Sequence, residues 1–155
     1  MPRFSLSVET TSNATAGAAN SNTAVQFLMA ANREARIVAV GIFPQNSGGT
    51  QTPGSWVIDR ISAVASGSAL VPLKMDAASP VSAITDTAKT ISTTLGATNT
   101  STDAAILMLQ PYRWNVFAPN GIDVRTGPGV GFALRRATAP SGAQIVNISF
   151  IFEEL

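Results

Sequence analysis

The stretch Ala143-Gln-Ile-Val-Asn-Ile-Ser-Phe-Ile-Phe-Glu-Glu-Leu155 decides the fold. Val146, Ile148, Phe150 and Phe152 recur at every second position, with Asn147 and Ser149 between them. Successive side chains leave opposite faces of a pleated strand, so a period of two marks a β-strand. Ile145 and Ile151 make the second face partly apolar as well. That predicts a central strand rather than an edge, paired with earlier segments around which a sheet closes.

Working outward, the neighbouring segments carry the same period. Val130, Phe132 and Leu134 alternate with Gly131, Ala133 and Arg135, and Phe4, Leu6 and Val8 alternate in a half-buried strand near the start. Arg36 to Phe43 is apolar on both faces and rich in β-branched residues, as a buried strand requires, and Pro44 is expected to end it. Thr23 to Ala35 fits a helix face or a strand; we favour a strand through Leu28 and a polar turn at Asn32-Arg33-Glu34. Trp56 to Val64 reads as a strand. Leu70 to Met75 reads as one interrupted at Pro72, which cannot donate to a ladder, so it is edge-like or bulged. Ser79-Pro80 has the form of a capped helical turn. The Thr-rich stretch 85–102 gives only a hint of a strand at Ile91, Thr93 and Leu95, and Ile106 to Leu109 opens the second half. Tyr112, Trp114 and Val116 share one face of a further strand, and Ile122 to Arg125 forms a short one. Turn residues recur every 8 to 12 residues or so, which is the signature of a sandwich or barrel. Residues 10–22 are Ser, Thr, Asn, Ala and Gly without a period and are expected to form a loop or extended arm. The whole predicts one all-β domain over 1–155, with an arm or loop within 1–22.

Composition excludes several chemistries. The 155 residues include no Cys and no His, which removes disulfides, thiolate metal sites and the commonest general base. Without His no ordinary Ser-His-Asp triad forms. The nine acids show no spacing that selects a catalytic pair, and a Ser-Lys dyad on Lys74 or Lys89 has no supporting pattern. A carboxylate and carbonyl calcium site near Asp76 or Asp123 stays open, without the spacing of an EF-hand. Gly127-Pro-Gly129-Val-Gly131 is not a phosphate loop, because the spacing is wrong and Pro128 removes an amide donor; it reads as a structural turn. The three Asn-X-Ser/Thr matches are chance in a Ser/Thr-rich chain, and Met1-Pro-Arg-Phe-Ser has no signal pattern, so synthesis in a cytosol is expected. No apolar run is long enough to span a bilayer.

Charge is more informative. Only 12% of residues are Asp, Glu, Lys or Arg and net charge is +1, where globular chains carry about 25% charged residues. One reading is a monomer solvated by hydroxyls and amides. The favoured one is a surface that meets other subunits, since interface cores are depleted of Lys, Glu and Asp. So small a net charge argues against nucleic-acid binding by a broad basic face. Arg135 and Arg136 are adjacent in a strand, so one of them must face the interior or a subunit contact. Tyr112, Trp114 and Phe117 form an aromatic cluster for which core packing is the plain expectation, with a protein interface and a sugar platform as alternatives.

Four stretches together carry a resemblance: Arg36-Ile-Val-Ala-Val-Gly-Ile-Phe43, Val71-Pro-Leu-Lys-Met-Asp76 before Ala78-Ser-Pro80, Gly127-Pro-Gly-Val-Gly-Phe-Ala-Leu134, and Ile148-Ser-Phe-Ile-Phe-Glu-Glu154. In order and pattern the chain resembles the small jelly-roll head-decoration, or capsid cement, proteins of tailed bacteriophages. The resemblance implies a jelly-roll β-sandwich of two antiparallel sheets and a non-enzymatic role without cofactor or metal. It implies the capsid surface of a virion as location, after synthesis in the host cytoplasm. The implied partners are the major capsid protein and further copies of the chain, as a dimer or trimer, with no nucleic acid and no membrane. No active-site residue carries over. The expected interface residues are Phe4, Leu6, Val8, Tyr112, Trp114 and Phe117. The alternative is a carbohydrate- or receptor-binding sandwich of a phage tail.

Overall fold

The computed structural model describes residues 1–12, 23–45, 56–64, 68–89, 107–109, 113–116, 125–136 and 144–155. These residues form eleven strands and no helix. In chain order they are β1 (Arg3–Ser12), β2 (Thr23–Met29), β3 (Ala35–Gln45), β4 (Trp56–Ile61), β5 (Ala69–Leu70), β6 (Leu73–Lys74), β7 (Ile84–Lys89), β8 (Leu107–Leu109), β9 (Arg113–Val116), β10 (Gly131–Arg136) and β11 (Gln144–Glu154).

Two antiparallel sheets result. The first has the order β6-β1-β11-β3-β9 and the second β5-β7-β2-β10-β4-β8. The chain passes between them repeatedly: β1 and β3 lie in the first sheet, β2 and β4 in the second, and β8 to β11 alternate in the same way.

The period-two pattern of β11 fixes which side is inside. β11 is central, pairing along its length with β1 on one side and β3 on the other. Phe4 pairs with Phe152, Leu6 with Phe150 and Val8 with Ile148, so one apolar row of each strand faces the second sheet. Across the gap Phe27 from β2 stacks on Phe152, with ring centroids 5.0 Å apart, and meets Phe150 edge-on at 5.5 Å. Phe132, Leu134, Trp56 and Ile58 complete the shared core. Offset-stacked and edge-to-face rings are the favoured aromatic geometries, worth about 0.5 to 1.5 kcal/mol per pair beyond their burial.

Several details differ from the expectations. β1 runs on to Ser12, so the patternless stretch begins later than predicted; residues 13–22 lie outside the described residues. Pro44 does not end β3, which continues to Gln45 with Pro44 opposite Val146. Ile37, Val40 and Ile42 are all fully buried although Ile37 and Val40 are three apart. A bulge explains this: Ile37 faces Phe152 and Ala39 faces Ile151, leaving Val38 as the extra residue that resets the alternation. No helical turn forms at Ser79-Pro80. Asp76 makes the turn instead, its carbonyl accepting from the Ser79 amide and its Oδ1 from the Ala78 amide, both at 3.0 Å. Thr85 to Lys89 belong to β7; the hinted strand at residues 91–95 and the short strand from Ile122 lie outside the described residues, apart from Arg125, which bridges Arg36.

The turn at Gly127-Pro-Gly129 is structural, as expected. The Val130 amide donates to the Gly127 carbonyl, and Gly129 has φ 68°, a left-handed conformation that a side chain disfavours.

Candidate interaction surfaces

Pro72 divides the expected strand into β5 and β6, and the two pieces lie in different sheets. β5 extends the edge of the second sheet beside β7, and β6 extends the edge of the first beside β1. The chain from Ala69 to Ala83 therefore straps one side of the sandwich. The strap is tied at its middle and at its far end. The Met75 amide donates to the Arg3 carbonyl at 3.0 Å. Glu154 Oε1 accepts from the Ser82 hydroxyl and, at 2.9 Å, from the Ala83 amide. Held in this way, the strap still turns apolar side chains outward. Val71 is 75% exposed, Leu73 59%, Met75 55% and Val81 82%.

The second surface is the outer face of the first sheet. Strand register places Ser7, Ser149, Gly41 and Trp114 in one row across β1, β11, β3 and β9. The adjoining row holds Glu9, Asn147 and Phe43. Trp114 is half exposed, and its indole lies over Gly41: a Cβ added there would sit 2.8 Å from Trp114 Cζ3 and 2.6 Å from Phe43 Cε2. Glycine at 41 is thus what lets the indole lie flat on the sheet, with Phe43 meeting it edge-on at 5.3 Å. Ser7, Glu9, Phe43, Trp114, Asn147 and Ser149 line an open depression of about 410 Å³.

One end of this face is charged. Glu153 lies between Arg3 and Arg36 on the flanking strands, at 3.4 Å from Arg3 Nε and in direct contact with Arg36. Burial pushes the Glu153 carboxyl up, but the hydrogen bonds and charges of Arg36 and then Arg3 outweigh it and hold it below its ordinary range.

The second sheet carries a different ion pair on its outer side. Asp59 on β4 is fully buried and paired with Arg135 on β10, through Nε and, at 3.4 Å, through Nη2. Burial pushes Asp59 above its ordinary range, and Arg135 only partly pulls it back. Arg136 faces the interior, as the alternation required, with its guanidinium 5.9 Å from the Trp56 ring centroid.

The expected interface residues now separate. Phe4 and Leu6 are 0% and 1% exposed and Val8 packs against the core, so these three belong to the sandwich interior rather than to an interface surface. Their partner strand is β11 of the same chain, which buries the apolar row that an intermolecular contact would have used. Trp114 is corrected in the other direction, because core packing was the plain expectation and it stands on the outside. Tyr112 and Phe117 lie outside the described residues. The strap was missed as a surface; its signal was Pro72 between two short apolar runs. Among the described residues no group of three or more acids, His or Cys is placed to hold a metal ion. The chain matches no family model, no curated protein and no solved structure.

Proposed function

We propose that the chain is a non-enzymatic structural protein of a tailed-phage virion, a decoration or cement protein that binds the outside of the capsid as a small homo-oligomer. The observation that carries this reading is the strap: four large apolar side chains held outward by backbone pairing and by Glu154. A fixed apolar ridge on a weakly charged chain suits a protein contact, because little desolvation of charge opposes it. The jelly-roll form of the sandwich is part of the same reading. It is supported by the strand orders β1-β11-β3-β9 and β2-β10-β4-β8, in which early and late strands interleave in each sheet as two Greek keys require.

The mechanism follows from valency. A capsid offers many equivalent sites, so a modest contact per copy is multiplied when an oligomer engages several subunits. Binding the assembled lattice and not its free subunits stabilises the lattice by mass action. The test uses empty shells of the capsid protein encoded with this chain. Co-sedimentation is expected, decorated shells should melt higher than bare ones, and the free protein should sediment as a dimer or trimer at micromolar concentration. Val71→Asp with Val81→Asp should abolish shell binding while the free protein melts within a few degrees of wild type, since both side chains are solvated. No binding at saturating protein, or binding without a rise in shell melting temperature, overturns the reading.

A further inference from the structure

We infer that the outer face of the first sheet is a binding site for a neutral oligosaccharide, with Trp114 as the stacking platform. This goes beyond the capsid reading and does not depend on it. The argument starts from how the indole is held. Gly41 lies beneath it and Phe43 stands beside it, so the ring rests on a rigid sheet with its far face open. An indole face is apolar and electron-rich, and the C–H groups on one side of a pyranose ring present the complementary surface.

The surroundings select the ligand class. Ser149 and Ser7 continue the row that begins at Trp114, and Asn147 and Glu9 lie in the next row. Neighbouring strands stand about 4.8 Å apart, so Ser149 lies roughly 10 Å from Trp114 and Ser7 roughly 14 Å. A sugar ring on Trp114 would therefore place the next unit of the chain over hydroxyl, amide and carboxylate groups, which match sugar hydroxyls as donors and acceptors. Among the described residues that line the depression, which also include Val8 and Ile148, there is one acid, Glu9, and no Lys or Arg. A phosphorylated, sulfated or sialylated ligand would meet the Glu9 carboxylate and no cation among these described residues. The size, about 410 Å³, is in the range of small-ligand sites.

The two tryptophans make the test direct. Trp56 is buried and Trp114 is half exposed, so a ligand on the platform changes the emission of Trp114 alone. Titration of the full chain with the trisaccharides of β-1,4-linked glucose and N-acetylglucosamine is expected to shift emission to the blue and to saturate in the millimolar range or below. A sialylated trisaccharide should give no change. Trp114→Ala should weaken binding, measured by calorimetry, at least tenfold. Gly41→Ala should weaken it too, because the new methyl group displaces the indole, and Trp114→Phe should retain part of it. Sedimentation of the same variants is the control. Failure of both neutral trisaccharides to bind at tens of millimolar overturns the inference, as does undiminished binding by Trp114→Ala. Dissociation of a wild-type oligomer by Trp114→Ala would also overturn it, showing that a second copy covers the face.

Discussion

The two sheets turn very different faces away from their common core. On the first sheet the outer rows are Ser7, Glu9, Asn147, Ser149 and the half-exposed Trp114, all in contact with solvent. On the second, Val57, Asp59, Ile61 and Ala133 occupy the equivalent side and are at most 2% exposed. The first sheet is therefore wet on one side, while the second is dry on both around β4 and β10, and the consequences appear most clearly in their acids. Glu153 is 5% exposed, and burial raises its pKa, but two arginines outweigh this and favour its charged form. Asp59 has one arginine and full burial, so its charged form is disfavoured. The same residue class, each beside arginine, is shifted in opposite directions because desolvation wins on one sheet and loses on the other.

The sharpest way to break this comparison is at Asp59. Asp59→Ala leaves the Arg135 guanidinium without its buried partner and should lower stability by about 3 to 5 kcal/mol in denaturant unfolding. A loss below about 1 kcal/mol would show that water reaches this side of the second sheet. A middle-sized effect is expected at Glu153, where Glu153→Gln should cost about 1 kcal/mol near neutral pH. Its sign with pH is fixed. The folded carboxyl titrates below the unfolded value of 4.5, so its contribution is present above that pH and fades as pH falls through the folded value. Wild type and Glu153→Gln should therefore converge in stability on acidification. Asp59 acts in the opposite sense. Its folded value is raised above 3.8, so its contribution to stability falls as pH rises through that window. The smallest effect is expected at Ser149, whose hydroxyl lies 3.3 Å from that of Ser7 at the surface. Ser149→Ala should change stability by less than about 0.5 kcal/mol, and a larger loss would mean that the first sheet is covered as well.

Much of the architecture was legible because alternation survives in isolation. Phe150 and Phe152 announce a strand without help from any other segment, and the segment 131–134 does so again. The pattern does not say whose strand lies beside it, nor which side faces in where both sides carry large side chains. Trp114 was assigned to a strand with core packing as the plain expectation, but it is Gly41 on β3 that leaves room for the indole outside. The row Phe4, Leu6, Val8 was recognised as apolar, yet only the register with β11 assigns it to the interior of its own chain. Pro72 signalled an interruption, while the destination of its two halves depends on the free edges of both sheets. The ion pair of Asp59 was not legible at all, since Arg135 approaches it from a strand distant in sequence and adjacent in space.

The position of β11 between β1 and β3 also governs what a ribosome must deliver. Neither β1 nor β3 has its main partner until residues 144–154 have been translated. At the usual rate of roughly 5 to 20 residues per second, the interval between the end of β3 and the start of β11 lasts on the order of 5 to 20 s. Throughout that interval the nascent polypeptide carries two apolar strands whose facing edges, the ones that β11 will take, have no partner. Every copy made on the same polysome carries them too, in close company. The first sheet is therefore assembled by its latest strand, which must enter between two older ones before those pair with a neighbour.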